Sequence, residues 1–135
     1  MSTFGNHGSY EAHLEGRILV FKARGPWNLE SMDAAASSFV KLSQQLHGAP
    51  WGLVGSFYGE PVHVPEAASR LIEVVKEEKK TGRVATGIVL THCDIPLLGR
   101  QHLTDIYTSA GETFDFFDNQ DQAIAWVNTQ IAAAE

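Results

Sequence analysis

From residue 9 to residue 15 apolar and polar positions alternate, with Tyr10, Ala12 and Leu14 each flanked by polar side chains, the two-residue period of a strand with one face in water. Ile18-Leu19-Val20-Phe21 then runs without a polar break, as a strand covered on both faces does. Glu15-Gly16 supplies a tight turn between them, so residues 9–23 are expected to form a β-hairpin whose second strand lies further inside the sheet. Arg24-Gly25-Pro26-Trp27-Asn28 punctuates the chain, and the Asn28 side chain is suited to cap a helix. That helix is expected over 29–46, where Met32, Ala35, Ala36, Phe39, Val40, Leu42 and Leu46 recur at spacings of three and four. His47-Gly48-Ala49-Pro50 stops it.

Residues 51–58, Trp-Gly-Leu-Val-Gly-Ser-Phe-Tyr, read as a short apolar strand whose glycines imply close approach by another backbone or a helix. Pro65 opens a helix that runs to residue 81, with Ala68, Leu71, Ile72 and Val75 inward. Glu73, Lys76, Glu77, Glu78, Lys79 and Lys80 are expected to form its solvated face and last turn. After Gly82, residues 83–94 form an apolar, β-branched run that ends abruptly in Thr91, His92, Cys93 and Asp94, the pattern of a buried strand that delivers polar groups to its end. Ile95-Pro96-Leu97-Leu98-Gly99 reads as a turn, followed by a weaker helix over 100–109 that presents Leu103, Ile106 and Tyr107. Gly111 precedes a last strand over 113–117, and Asp118 or Asn119 caps a final helix over 120–133 with Ala123, Ile124, Val127 and Ile131 inward and Trp126 beside them.

The order ββαβαβαβα predicts a single α/β domain over residues 1–135: a mostly parallel five-stranded sheet with a leading hairpin and four helices, residues 1–8 being disordered. This order resembles the STAS family of sulfate transporters and anti-sigma-factor antagonists, over most of the chain. Val84-Ala85-Thr86-Gly87-Ile88-Val89-Leu90 is similar to the family's fourth strand, and Phe114 to Phe117 followed by Asp118, Ala123 and Trp126 is similar to its terminal strand and helix. It looks in particular like the STAS-like subgroup related in shape to CRAL-TRIO lipid-binding domains. The antagonists carry a phosphorylatable serine in an Asp-Ser-Ser or Asp-Ser-Thr segment after the third strand. Here that stretch is Gly55-Ser56-Phe57-Tyr58-Gly59-Glu60, and Ser56, the nearest hydroxyl, is expected inside the strand, which speaks against a phosphorylation switch.

Composition narrows the partners. With 44% hydrophobic and 19% charged residues the 135-residue chain has the profile of a soluble domain able to build its own core. A formal net charge of -6 argues against nucleic acid, whose nonspecific affinity comes from cations that displace counterions. Cys93 is the single cysteine, which suits a reducing cytoplasm, and no stretch is suited to cross a bilayer. The 6 histidines, His7, His13, His47, His63, His92 and His102, fall at no spacing that places two ligands on one helical face, so no metal site is expected. Gly52, Gly55 and Gly59 lack the strand-to-helix setting of a phosphate loop, and Trp27, Trp51 and Trp126 read as core or rim residues.

Ligands of open parallel sheets sit beyond the carboxyl ends of the strands. Tyr58, Glu60, His63, Thr91 and His92 are therefore the expected ligand-binding residues. A thiol enzyme is the alternative, with Cys93 activated by a histidine whose imidazole is held in the right tautomer by Asp94 or Glu60. His92 and Cys93 are consecutive on an extended chain and point apart, so His63 or His102 would have to be the base. With no motif that carries a mechanism, and with the STAS-like resemblance, the expectation is a noncatalytic binding or regulatory module. It would take a small apolar ligand or a protein partner, without a cofactor, and could pair with itself through a helix or an edge strand.

Overall fold

The computed structural model describes residues 2–3, 9–24, 37–60 and 63–135. One sheet holds β1 (Ser2–Thr3), β2 (Ser9–Glu15), β3 (Ile18–Arg24), β4 (Trp51–Gly59), β5 (Arg83–Cys93) and β6 (Phe114–Phe117), and the strands stand side by side in chain order. The leading pairs β1–β2 and β2–β3 are antiparallel, and β3 to β6 are parallel. The five expected strands are all present. The sheet is extended at its edge by β1, which pairs with Tyr10 and Ser9, so residues 2 and 3 belong to it although 1–8 are expected to be disordered.

The hairpin loop is Gly16-Arg17 rather than Glu15-Gly16, because Glu15 still pairs with Ile18. Only Gly16 of the two has a positive φ, +59°, the type II′ pattern that matches the twist of the flanking strands. The Arg17 guanidinium then donates to the carbonyls of Pro50 (2.9 Å), Ala49 (3.0 Å) and Leu46, tying the hairpin to the segment that leads into β4.

Helix α1 is described over 37–43 and passes into a 3-10 turn, Gln44–Leu46. The first part of the expected 29–46 helix, its Asn28 cap and Gly25-Pro26-Trp27 lie outside the described residues. Helix α2 is Pro65–Lys79, α3 is Pro96–Ala110 and α4 is Gln120–Ala134. α3 begins well before the expected residue 100, since Pro96 occupies the first helical position, where its missing N–H leaves nothing unpaired. Gly111, at φ +73°, ends it. The Asn119 side chain caps α4 by accepting from the Gln122 amide at 2.9 Å.

Sequential order has a geometric consequence. Each right-handed crossover steps one strand in the same direction, so every crossover helix falls on the same face. Leu19, Phe21, Leu53, Phe57, Ile88 and Leu90 of the sheet accordingly pack with Phe39 and Leu42 of α1, Leu71 and Val75 of α2, and Leu103, Ile106 and Tyr107 of α3. Among the described residues the other face is covered by α4, the helix after β6, which lays Ala123, Val127 and Ile131 on Ile18, Val20, Val54 and Val89. β2 lies beyond its reach, so Glu11, His13 and Glu15 face water while Tyr10 is buried.

Two sheet glycines set the height of α4. A Cβ on Gly52 would lie 2.3 Å from Val127 Cγ1, and one on Gly87 would lie 3.0 Å from Ala123 Cβ. The close approach expected from the glycines of β4 is thus made by α4 at Gly52, whereas at Gly55 it is made by the Phe21 ring. Gly52→Ala should destabilise the fold by about 1–3 kcal/mol through overpacking, read from the urea midpoint. Val127→Ala should recover part of that loss in the double variant; strictly additive effects would contradict the contact.

Candidate functional site

The polar groups expected at the strand ends separate onto the two faces of the sheet. β4 and β5 lose register between Ser56 and Tyr58: Ser56 faces Val89, yet Tyr58 faces His92. β5 therefore carries one extra residue there, which turns His92 to the face opposite Leu90. His92 stacks on Tyr58 with ring centroids 4.7 Å apart and planes 5° apart, and the Arg24 guanidinium lies 5.7 Å from the same ring. This three-strand stack, on the face carrying α4, is already occupied by its own members. Thr91 is exposed and donates to the Asp118 carbonyl at 3.2 Å, and Glu60 is exposed. Ser56, only 3% exposed, lies within β4 as expected.

Cys93 turns the other way, into the core, and its thiol donates to the Phe57 carbonyl at 3.2 Å. Burial, and secondarily the charge of Asp94, push that thiol up to about 11. A thiol so held is a poor nucleophile at neutral pH.

The open space lies instead beneath the crossover helices. A cavity of about 110 Å³ separates β3 and β4 from α1 and α2, with walls dominated by Phe21, Leu53, Phe57, Phe39, Leu71 and Val74. Among the described residues the strands run in chain order without a reversal, so they form no crevice of the kind that a reversal opens at the strand ends. Val40, about half exposed, also lines the cavity and marks where it approaches the surface beside α1.

His63 closes one end. It is the one expected ligand-binding residue that reaches the cavity, and at 4% exposure it is buried rather than displayed at a rim. Its backbone N–H donates to His102 Nε2 at 3.0 Å, and the two rings stack at 5.6 Å. That bond requires Nε2 of His102 to be unprotonated, and ties the segment before α2 to α3. Burial, then the neighbouring His102, push His63 down to about 3; burial also lowers His102, against the pull of Asp105.

Arg83, Glu78 and Tyr107 form the other end. Arg83 is buried, and its Nε donates to Glu112 Oε2 (2.7 Å), one Nη to Glu78 Oε1 (2.6 Å) and the other to Thr86 Oγ1 (2.6 Å). The Thr86 hydroxyl in turn donates to Glu112 Oε2 (2.8 Å), and Lys79 Nζ donates to Glu112 Oε1 (3.1 Å). Two cations thus face two carboxylates. Burial works against the Arg83 charge, but Glu78 and Glu112 more than offset it, so its affinity for a proton is raised. Burial pushes the Tyr107 hydroxyl up to about 12 despite the nearby guanidinium.

Glu78 and Lys79 are therefore not part of the solvated face expected of α2; both turn to this cluster. Sequence reasoning also missed Arg83, Thr86 and Glu112 as a unit, because Arg83 and Glu112 are 29 positions apart and no local pattern joins them. A charged residue opening an otherwise apolar strand is the signal that was available. Among the described residues, no three metal-ligating side chains gather and no helix is long and apolar enough to cross a membrane.

The layers and strand order define a SpoIIAA-like fold, the fold of the STAS domain of the anti-sigma antagonists. The structure of an uncharacterized protein from the DUF3478 family of Shewanella loihica PV-4, itself described as SpoIIAA-like, matches with a TM-score of 0.57 over 94% of this chain and 98% of that chain, at 16% identity. No family model and no curated protein matches the sequence.

Two outcomes follow from the burial of His63 and Cys93. Unfolded His63 titrates near 6.5 and folded His63 near 3, so between these values the unfolded chain binds more protons and stability falls as pH drops below 6.5, levelling off below 3. Going from pH 7.5 to pH 5 should cost about 2 kcal/mol from this group, read from urea midpoints. His63→Phe should flatten the slope, and an unchanged slope would contradict the assignment. Iodoacetamide at pH 7.5 should modify Cys93 far more slowly in the folded protein than in urea; equal rates would contradict its burial.

Proposed function

We propose that the protein is a noncatalytic STAS-like module that receives a small apolar ligand between its sheet and helices α1 and α2. The observation that carries this reading is the cavity itself, about 110 Å³ with aromatic and aliphatic walls, where close packing is the rule for protein interiors. An apolar cavity of roughly 150 Å³ stays dry and takes up benzene, so a space of this kind favours a ring or a short alkyl segment. Val40 supplies an edge through which such a group can be admitted, and His63 and Arg83 mark its polar ends.

The thiol-enzyme alternative is disfavoured, since Cys93 is hydrogen-bonded in the core with its proton held, and His92 stands on the opposite face of the sheet. A protein partner is the second reading, favoured by Ile95, Leu97 and Leu98, all exposed at the start of α3, Leu97 to 82%. A lone, buried cysteine suits work in the cytoplasm.

Indole is a suitable probe of the ligand reading. A ligand that binds only the folded state raises its stability in proportion to ln(1 + [L]/Kd), so millimolar indole should raise the melting temperature of the wild type. Ala23→Leu, which fills the cavity from β3, should abolish that rise. No rise in the wild type, or the same rise in the filled variant, would contradict the site.

A further inference from the structure

We propose that the cavity selects neutral ligands against carboxylates, because its one buried guanidinium is already neutralised inside the wall. This rests on the ligand reading above and names the chemical class that the site accepts.

Apolar pockets that hold a fatty or aromatic acid need a cation free to meet the carboxylate, since an unpaired buried anion is strongly disfavoured. Among the described residues lining this cavity the charged side chains are Arg83 and Glu78, and they bond to each other at 2.6 Å. Each nitrogen of Arg83 has an oxygen partner: Glu112 at Nε, Glu78 at one Nη and Thr86 at the other. Lys79, the second cation of the cluster, is spent on Glu112 and does not line the cavity. An incoming carboxylate would meet Glu78 at that end, a like charge. At the opposite end His63 stacks on His102 in a buried setting that holds its ring neutral. The walls between are apolar. A hydroxyl, amide or unsubstituted ring therefore enters without an uncompensated charge, whereas a carboxylate must either shed its charge or displace Glu78 from Arg83.

Benzyl alcohol and benzoate, nearly equal in shape and different in charge, test this by calorimetric titration at pH 7.5. Benzyl alcohol should bind at least about tenfold more tightly than benzoate, a modest share of what burying an unpaired anion costs. Glu78→Gln keeps the shape and an oxygen for Arg83 but removes the competing charge, and should raise benzoate affinity at least about fivefold with little change for benzyl alcohol. Equal or tighter binding of benzoate to the wild type would overturn the selectivity and leave the ligand reading standing. A lower benzoate affinity unrelieved by Glu78→Gln would also overturn it, as a steric effect. The wild-type comparison needs no variant to fold. If neither these probes nor indole binds, the ligand reading itself is what fails.

Discussion

The constraint on which the rest depends is that the strands lie in chain order. Because each parallel connection moves the chain one place in the same direction, its helix has no choice of face, and α1, α2 and α3 crowd one side. Among the described residues α4, which is not a crossover between two strands of this sheet, is the helix on the other side. The asymmetry decides where chemistry can occur. On the α4 side the helix seats closely on Gly52 and Gly87; on the crowded side helices that also pack on one another leave the apolar space bounded by Phe21, Phe39, Leu53, Phe57 and Leu71.

The buried ion cluster belongs to the same layer. Arg83 opens β5, Glu112 lies between α3 and β6, and Glu78 and Lys79 end α2, so the cluster fastens the last turn of one helix to the start of the strand that follows and to the exit of the next helix. Such a group of charges adds little net stability, since desolvation offsets much of the attraction, but removing one member leaves another buried and unpaired. Its consequence for the cavity is electrostatic: a wall that contains a guanidinium presents no free positive charge.

Much of this fold was legible in the sequence. The alternation of Tyr10, Ala12 and Leu14 against the unbroken Ile18-Leu19-Val20-Phe21 separates a strand with one wet face from one covered on both, and the apolar run after Gly82 marks the buried strand β5, paired on both sides by β4 and the edge strand β6. Gly52 correctly signals the close approach of a helix. The candidate site was less legible. Alternation along β5 places His92 on the Leu90 face, and only a register shift, which leaves no mark in the sequence, carries it over to Tyr58. Pro96, which the sequence places in a turn, instead opens α3, because a proline at the first helical position and one that breaks a helix look alike. The charge run at the end of α2 reads as solvated until Arg83 and Glu112, remote in sequence, are brought beside it. His63 is expected at the site for its place after a strand, and reaches the cavity by a different route, as a buried residue on the side of the crossover helices.

Where apolar molecules go in this protein is most directly tested by methyl-resolved nuclear magnetic resonance with benzene as the probe. If the space under the crossover helices is the site, methyl signals of Leu19, Leu53 and Leu71 shift on addition of benzene while those of Val54 and Val127, on the α4 side, stay in place. Shifts confined to the α4 side, or to the exposed Leu97 and Leu98, would contradict the account.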